Sequence, residues 1–554
     1  MCKKIPKSSA TSTCELSIPM EISSDTVVLE SCDGRGIFTS APIFCFALLA
    51  ALWASCVIGV VIYRIFLHPL AHLPGPKIAA ATFLYEIAWD YFGDGAYLYE
   101  IEKMHRKYAS TGRADCRVNP HEVSIHDPTY YNTVYVGGAI RRTDAHPAFG
   151  DGMDFNGSHG MTVNHHHHRL RRKPMEPFFS KNGVAQLEPR LCELTVTLVQ
   201  RLLEYKGVGK VIRLDHVFTA MAGDVVNAVC VAKPTMSFLR HEDFNPDWFN
   251  LFHTFIKSMP VFMNFPWIIR IVRLVPTALL QRLDPRSQMF RDWREMSVDH
   301  IVDVKKRKES GKTFVNRDSK MRCDTLFEHL INSDLPESEL SVERLASEAQ
   351  VVMGAGTVTT ARTMDYLAVH ILLNDRVHTR LRQELKEPMK DFPEKMPPLA
   401  ELEQLPYLQA CIKEALRLSP GLTHRLPRVS PDTDLVYRGW TIPRGTPVGM
   451  SAWYMHTDPN VYQDAMTFRP ERWLENVTPE MHRNYVPFSK GSRRCLGSEL
   501  AYAEITMVFA ALFGPQGPKL KLYETDASDA DPACAFLLPL PRLSSKGIRV
   551  MVEP

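Results

Sequence analysis

The hydrophobic pattern of the chain begins with one long apolar run. Residues Ala41 to Tyr63 read APIFCFALLAALWASCVIGVVIY and carry no charged side chain. At about 1.5 Å of rise per residue, a helix of this length crosses roughly 30 Å of hydrocarbon. The run starts far from Met1 and is followed by Arg64 instead of a small-residue cleavage site, which favours an anchor over a cleaved signal peptide. The pattern therefore predicts an N-terminal tail over residues 1–40 and a transmembrane anchor over residues 41–63.

A proline-rich segment follows the apolar run. The sequence HPLAHLPGPK brings Pro69, Pro74 and Pro76 close together, and proline fixes φ and lacks the amide donor that a helix needs. We therefore expect the helix to end here and residues 64–77 to form a hinge, although an ordinary interdomain linker has the same composition. Basic residues lie on both sides of the run, so the positive-inside rule leaves its orientation open.

Helical periods dominate the rest of the chain, and no second uncharged run of that length follows. Strand-like stretches with turn residues are short and lie near residue 120, over residues 432–451 and at the C-terminus. Regular alternation of strands and helices is absent, which disfavours a doubly wound nucleotide-binding fold. The pattern predicts that residues 78–554 form one mainly α body with small β-sheets.

One predicted helix is unusually long and runs from the N-cap Ser341 to Leu373. Gly354 and Gly356 lie inside it, and each costs about 1 kcal/mol relative to alanine in a helix interior. A local bulge that lets a flat ligand approach the backbone is one interpretation of these glycines. A helix–helix contact built on small residues is the alternative. The G-A-G sequence is not a dinucleotide fingerprint, because it lacks a preceding strand and a third glycine.

Composition and charge exclude several classes of function. The 554 residues are 45% hydrophobic and 23% charged, which is typical of a folded globular chain. The net charge of +3, from 65 basic and 62 acidic residues, is too small to indicate a nucleic-acid surface. The 12 cysteines are scattered and form neither a disulfide framework nor a paired zinc motif, so reduced thiols are expected.

The segment FSKGSRRCLG, residues 488–497, concentrates the chemistry of the sequence. Cys495 precedes a helical pattern, and a thiol near a helix N-terminus with arginines beside it is expected to have a lowered pKa. Gly491 and Gly497 permit a planar group to approach the backbone on both sides of the sulfur, and Phe488 can pack near it. The segment therefore predicts a cradle for a ligand bound through sulfur.

This segment resembles the heme-ligand signature F-x-x-G-x-R-x-C-x-G of the cytochrome P-450 monooxygenases, a class in which a cysteine thiolate binds heme iron. The resemblance extends to the E-x-x-R motif formed by Glu414 and Arg417, and to FRPERW, which supplies Arg472. Residues three apart share a helix face, so Glu414 and Arg417 are expected to pair, with Arg472 binding the remaining carboxylate oxygen. The resemblance implies the cytochrome P-450 fold and a buried Glu-Arg-Arg network.

The resemblance also implies a heme b cofactor with Cys495 as the axial ligand of its iron. The further cofactor contacts that it implies are Phe488, Gly491, Arg493, Gly497, Arg428, His168, Arg172, Ala355 and Gly356. His168 stands where the family usually has tryptophan in W-x-x-x-R, and a solvated basic helix or an incidental metal patch is the alternative for NHHHHRLRRK. Thr359 is the implied catalytic residue, which holds a water for proton delivery. Val358 departs from the family because an acid usually precedes this threonine.

The function implied is that of a fungal microsomal monooxygenase, similar to trichothecene-type oxygenases of secondary metabolism. Electrons are expected from NADPH through cytochrome P-450 reductase, and the single-pass protein is expected in the endoplasmic reticulum membrane with its catalytic domain in the cytosol. A lipophilic terpenoid or polyketide is expected in an apolar pocket formed by residues 139–160, 353–360 and 421–427. Membrane lipid is a predicted partner and nucleic acid is not. A heme-thiolate isomerase or dehydratase, which Val358 suggests, and a non-catalytic membrane-tethered binding protein are the alternatives.

Overall fold

The computed structural model describes residues 35–109, 115–153, 155–230, 237–310 and 325–554. The chain divides into two compact units, Met1–Val60 and Val61–Pro554. The predicted tail lies largely outside the described residues. In the described part of the first unit the chain is helical, as the apolar run predicted.

The α-helices of the described residues are α1 (Arg35–Ile62), α2 (Lys77–Ala81), α3 (Leu84–Asp90), α4 (Tyr97–Ala109), α5 (Tyr131–Val134), α6 (Pro147–Met153), α7 (His165–Arg172), α8 (Lys181–Leu203), α9 (Leu214–Cys230), α10 (Pro246–Asn264), α11 (Trp267–Leu274), α12 (Thr277–Leu283), α13 (Ser287–Glu309), α14 (Leu326–Ile331), α15 (Val342–Leu372), α16 (Asp375–Leu385), α17 (Leu399–Leu402), α18 (Pro406–Leu418), α19 (Ala452–His456), α20 (Pro479–Asn484) and α21 (Ser498–Phe513). The strands are β1 (Asp115–Arg117), β2 (Val123–Ile125), β3 (Asp144–Ala145), β4 (Ile212–Arg213), β5 (Arg428–Val429), β6 (Leu435–Tyr437), β7 (Trp440–Ile442), β8 (Pro447–Gly449), β9 (Leu520–Leu522), β10 (Cys534–Ala535), β11 (Pro539–Leu540) and β12 (Arg549–Val552).

The membrane-span candidate is Phe44–Leu67, and no part of its most apolar window is buried. Helix α1 continues into a π-helical turn, Tyr63–Leu67, so the helical chain extends beyond the predicted end at residue 63. It stops at His68, which is extended because Pro69 follows it and disfavours the helical conformation of the preceding residue. The first proline, not the last apolar residue, therefore sets the end of this helix.

The strands are short, and β1, β2, β6, β7, β8 and β12 lie where the sequence predicted them, whereas β3, β4, β5, β9, β10 and β11 were not predicted. A five-stranded sheet has the order β1-β2-β8-β5-β3, in which only the β2–β8 pair is parallel, with Val123 opposite Val448. A three-stranded sheet has the order β4-β12-β9, and two hairpin-like pairs, β6–β7 and β10–β11, complete the strands of the described residues. Strand β5 begins at Arg428, so the large sheet positions one of the predicted cofactor contacts.

Helix α15 runs through the centre of the core and confirms the long helix predicted from the sequence. The Ser341 side chain accepts from the amide of Arg344 and caps its N-terminus. Helices α9 and α13 pack against α15. Most of its residues are buried, and these include charged residues such as Arg344, Glu348 and Arg362 as well as apolar ones.

The predicted bulge at the glycines of α15 is wrong, because the helix is continuous from Val342 to Leu372. A Cβ at Gly356 would lie 2.3 Å from Cγ2 of Val226 on α9, and one at Gly354 would lie 3.3 Å from the rings of Phe252 and Trp293. Both glycines therefore permit close packing between helices. The helix–helix alternative, not a distorted backbone, accounts for them.

Candidate active site

The cysteine loop, residues 486–497, connects α20 to α21 and is closed by its own backbone. The amide of Cys495 donates to the carbonyl of Phe488 at 2.9 Å. Gly491 has a φ of +76°, and a Cβ there would lie 2.5 Å from the carbonyl oxygens of Tyr135 and Val136. Glycine is required at 491 both by this conformation and by the close approach of the neighbouring chain.

The Cys495 thiol is a free thiol in the described structure. Its side chain is accessible, although most of its surroundings are protein, and burial raises its pKa above the ordinary value. The amide of Gly497 donates to the sulfur, and the charges of Arg172 and Arg494 favour the thiolate, but they do not offset the loss of hydration. The lowered pKa expected from the sequence is therefore wrong for the protein alone. A bound metal ion deprotonates a coordinating thiol outright.

The Arg493 guanidinium holds the adjoining loop through its hydrogen bonds to backbone carbonyls. It donates to the carbonyls of Thr162 at 2.7 Å and Val163 at 2.6 Å. Burial, together with the positive charges of Arg428 and Arg172, lowers its pKa to about 9, and the carboxylate of Asp144 opposes this shift only in part. Arg493 is thus a buried cation in a region of positive charge.

Two further arginines of the predicted set lie beside this region. Arg172, on α7, donates to the carbonyl of Arg494 at 2.9 Å and also pairs with Glu176. Arg428 lies over the ring of Tyr135, with 5.3 Å between the guanidinium carbon and the ring centroid, and burial lowers its pKa. Among the described residues neither Arg428 nor Arg493 forms an ion pair. The structure therefore brings together a partly buried cluster of cations with too few anions.

His168 adds a polar atom without a partner to the same region. Its Nδ1 lies 2.8 Å from the carbonyl oxygen of His159, and its Nε2 is buried with no hydrogen bond to any described residue. Burial lowers the pKa of His168 to about 3, helped by the charge of Arg493. An anionic group with several carboxylate oxygens would satisfy this cluster, and the two carboxylates of heme fit that requirement.

Thr359 lies on the middle of α15, at a place where the helix is open. Ala355, one turn earlier, is exposed although the helix is central, which indicates free space along this face. The Thr359 hydroxyl donates to the Ala355 carbonyl at 2.7 Å. Its oxygen lone pairs remain as acceptors for a water. Val358 packs against the core and offers no proton.

Gly421 was not singled out from the sequence, beyond its place in the loop predicted to line the pocket. A Cβ at this position would lie 3.1 Å from the Cβ of Thr359 and 3.9 Å from its hydroxyl oxygen. That separation is tighter than an ordinary van der Waals contact between side chains. The loop after α18 therefore holds Thr359 from the opposite side. No sequence motif marks this contact.

Glu414, on α18, forms a fully buried network. Its carboxylate accepts from Arg417 at 2.9 and 2.8 Å, from Arg472 at 2.9 Å and from the indole of Trp473 at 2.9 Å. Burial alone raises the pKa of a carboxyl group, but the hydrogen bonds and charges of Arg417 and Arg472 lower that of Glu414 below its usual value.

Aromatic residues connect this network to the cysteine loop. The ring of Trp473 lies 4.9 Å from that of Tyr485, whose hydroxyl is 2.9 Å from the hydroxyl of Tyr502. The ring of Tyr502 is 5.2 Å from that of Phe488.

The predicted residues thus fall into three groups: the loop with its cations and His168, the Glu414 network joined to it, and Ala355, Gly356 and Thr359 on α15.

Comparison with known proteins identifies this arrangement. A protein-family model described as Cytochrome P-450 matches residues 88–515. A fusicoccadiene C-8 hydroxylase of Phomopsis amygdali is 74% identical over 493 residues, which cover 89% of this chain and 93% of the relative. A fusicoccadiene C-8 hydroxylase of Alternaria brassicicola is 60% identical over 513 residues, with coverages of 92% and 96%. The cytochrome P-450 monooxygenase oblB of Cochliobolus heterostrophus is 49% identical over 504 residues, with coverages of 91% and 95%.

Proposed function

The chain belongs to the cytochrome P-450 family, and we propose that it hydroxylates one carbon of a lipophilic terpenoid, with fusicoccadiene as the first substrate to test. It is an oxidoreductase that incorporates oxygen, like its fungal relatives in secondary metabolism. The observation that carries the substrate proposal is the 74% identity to a fusicoccadiene C-8 hydroxylase across 89% of this chain.

The proposed cofactor is heme b with Cys495 as the axial ligand of its iron. When bound, heme supplies oxygen activation, in which the thiolate favours O–O cleavage. The residues proposed to hold its carboxylates are Arg493, Arg428, Arg172 and His168, which form the cation-rich cluster beside the cysteine loop. Gly497, where a Cβ would lie 4.0 Å from the ring of Phe179, leaves the loop backbone open to a flat group, whereas Gly491 packs against the backbone of Tyr135 and Val136 and does not. The Glu414 network has a structural role and keeps the loop in position.

Thr359 is the residue proposed to deliver protons. Because its hydroxyl hydrogen is directed to the Ala355 carbonyl, its oxygen accepts a hydrogen bond from a water in the open groove. The neighbouring acid of other family members is Val358 here, so this water is the proton donor that Thr359 must position. Gly421 restricts the threonine from the other side.

Removing the Thr359 hydroxyl is expected to uncouple oxygen reduction from hydroxylation. In Thr359→Val the water loses its acceptor, and we expect the hydrogen peroxide released per NADPH to rise several-fold while product per NADPH falls by a similar factor. Both ratios are measured in the reconstituted system. The matched control is Thr357→Val on the same helix, where the hydroxyl is buried and has no partner among the described residues. Equal peroxide yields in the two variants would exclude Thr359 from this role.

An electron-transfer partner of acidic surface fits the face that carries the cysteine loop. Arg494 is exposed, and the contact of Arg172 with its carbonyl places α7 beside the loop. Arg169 and Lys173, at the end of α7, are exposed as well. Positive side chains above a buried redox centre steer a negatively charged partner to it. We assign this surface to NADPH-cytochrome P-450 reductase.

The proposed location is the endoplasmic reticulum membrane, with the catalytic body in the cytosol. In addition to the span candidate Phe44–Leu67, the body has an apolar surface on α11. Trp267, Ile271 and Leu274 share one face of this helix and are 56%, 52% and 83% exposed. The basic residues around this surface are Arg270, Arg273, Arg282 and Arg286. Aromatic and aliphatic side chains bordered by arginine suit the interface of an anionic bilayer.

Trp267 is therefore expected to enter the lipid interface. Trp53, in the span candidate, is itself expected to be quenched by lipid, so the measurement is made in a Trp53→Phe parent. In this full-length parent reconstituted with brominated phospholipids, we expect part of the tryptophan fluorescence to be quenched, and Trp267→Phe to remove most of the quenched fraction. The control is Trp440→Phe, which removes another partly exposed tryptophan on the hairpin of β6 and β7. If the Trp267→Phe protein retains the quenched fraction of the parent, α11 does not contact lipid.

The substrate proposal is tested with purified protein, a cytochrome P-450 reductase, NADPH and fusicoccadiene. The expected product is a monohydroxylated fusicoccadiene with the hydroxyl group at C-8, formed only with NADPH and reductase. A product hydroxylated at another carbon would support the monooxygenase activity and contradict the proposed position of hydroxylation. Turnover without reductant would favour an isomerase or dehydratase, the alternative suggested by Val358. A protein that binds fusicoccadiene but never converts it would favour the binding-protein alternative.

A further inference from the structure

The tautomer of His168 is fixed by the hydrogen bond at its Nδ1. That atom lies 2.8 Å from the carbonyl oxygen of His159, and a carbonyl oxygen only accepts. Nδ1 must therefore carry a hydrogen. In the neutral imidazole this leaves Nε2 as a bare lone pair, and Nε2 is the buried atom without a partner among the described residues.

The His159 carbonyl is itself held in place from α15. The fully buried carboxylate of Glu348 accepts from the amide of His159 at 3.0 Å and from its Nδ1 at 2.5 Å, and Arg344 binds the same carboxylate at 2.7 Å. The chain approaches α15 so closely that a Cβ at Gly157 would lie 2.8 Å from the Cβ of Ser347. The acceptor that fixes the His168 tautomer is therefore part of a rigid contact, and the ring cannot readily exchange its two nitrogens.

The charged groups that face His168 oppose a proton on Nε2 when no anion is present. Arg493 and Arg172 are positively charged, and His159 adds no negative charge near the His168 ring. These same arginines keep a nearby carboxylate ionised. An ionised carboxylate and the bare Nε2 are both acceptors, so they cannot form a hydrogen bond unless a proton lies between them.

On the basis of the heme site proposed above, we propose that His168 contacts a heme carboxylate as an imidazolium, with one proton taken from solvent onto Nε2. The proton forms an N–H bond at Nε2 and no electron is transferred. The tryptophan usual at this position in the family donates an indole N–H without any protonation. The contact in this chain is therefore a protonation-dependent, charge-assisted hydrogen bond, held in register by Glu348 and His159.

The protonation state of His168 is directly measurable in the full-length heme-loaded protein. Histidine labelled with carbon-13 and nitrogen-15 is incorporated, and the NMR spectra of the parent and His168→Trp are subtracted at neutral pH. The expected result is that the lost signal has the shifts of an imidazolium ring. A lost signal with the shifts of a neutral ring protonated at Nδ1 overturns the proposal. His166→Gln, at an exposed position of α7, must remove a different signal and serves as the assignment control.

A second measurement covers the case in which His168→Trp does not accumulate. In the parent, the bond persists while Nε2 is protonated and is lost as the pH rises through the pKa of the loaded state. The measurement is the rate of heme transfer to apomyoglobin at about pH 7 and about pH 9. We expect the increase in this rate between the two pH values to be about tenfold greater in the parent than in His168→Gln, because only the parent loses a charge-assisted hydrogen bond. The same pH dependence in both proteins overturns the proposal.

The proposal and the proposed function can fail separately. The reduced carbon monoxide complex is recorded on every sample. A red-shifted thiolate Soret band together with a neutral His168 overturns the imidazolium and leaves the heme-thiolate assignment intact. Absence of that band from the parent overturns the proposed heme site itself.

Discussion

Replacing Cys495 by alanine is expected to abolish both the thiolate spectrum and all NADPH-dependent hydroxylation. The loop offers no other sulfur, and its closing bond from the Cys495 amide to Phe488 is made by the backbone, so it survives the substitution. The loop is therefore expected to keep its shape while the axial ligand is lost. Iron content, the carbon monoxide difference spectrum and product formation are measured on the same preparation. The loss in turnover should reach the detection limit of the assay.

The matched control for this result is Cys192→Ala. Cys192 is a partly buried cysteine of α8, outside the cysteine loop. Its loss should leave the difference spectrum and the product yield unchanged within error, with a modest effect on stability. A Cys495→Ala protein that keeps a red-shifted Soret band, or a parent protein with a histidine bound to iron in place of the thiolate, would contradict the assigned ligand.

Replacing Glu414 by glutamine is expected to cause a large loss of stability. The substitution leaves Arg417 and Arg472 buried without their counter-charge, and breaking a buried ion pair in this way costs about 3–5 kcal/mol. Thermal unfolding of the heme-loaded protein, followed by the Soret band, measures the effect. We expect a clear decrease in Tm and a lower yield of folded protein.

The chain supplies a control of the same spacing in the pair Glu480–Arg483. It is also a glutamate and an arginine three residues apart on a helix, but its side chains are 52% and 43% exposed. Because solvent screens such pairs, Glu480→Gln should change stability by less than about 1 kcal/mol. Equal unfolding temperatures for Glu414→Gln and Glu480→Gln would show that burial of the network contributes nothing.

The effect of Glu414→Gln is expected to extend to the heme. Trp473 donates to the Glu414 carboxylate and contacts Tyr485, which is linked through Tyr502 to Phe488 of the cysteine loop. Loosening the network should therefore move the loop. We expect the thiolate band of this variant to decay with time toward that of a protonated thiol ligand, faster than in the Glu480→Gln control.

Much of the fold was predictable because local rules govern it. The apolar run, the prolines after it and the capped helix from Ser341 each depend on residues adjacent in sequence, and the structure confirms them. The pairing of Glu414 with Arg417 depends on helical spacing alone, and the structure places the two groups in contact. The resemblance of residues 488–497 to a known signature supplied the family, which the comparison confirms.

The remaining features depend on tertiary contacts that no sequence pattern records. Glu348 binds His159 across 189 residues of chain. The thiol of Cys495 was expected to be acidic from its neighbours in sequence, but burial, which sequence does not reveal, has the larger effect on its pKa. Gly356 was attributed to a distorted helix, whereas its neighbour Val226 comes from another helix altogether.

The contact of Gly421 with Thr359 limits how this protein can acquire new substrates. Loops that line a pocket are the usual places for adaptive change, since they tolerate substitution better than the core. A side chain at 421, however, would press against Thr359, because its Cβ would lie 3.1 Å from the Cβ of the threonine. A larger residue at 421 would change substrate selectivity at the cost of oxidation yield. We therefore expect natural evolution and laboratory selection to keep glycine at 421 and to change other positions of the loop.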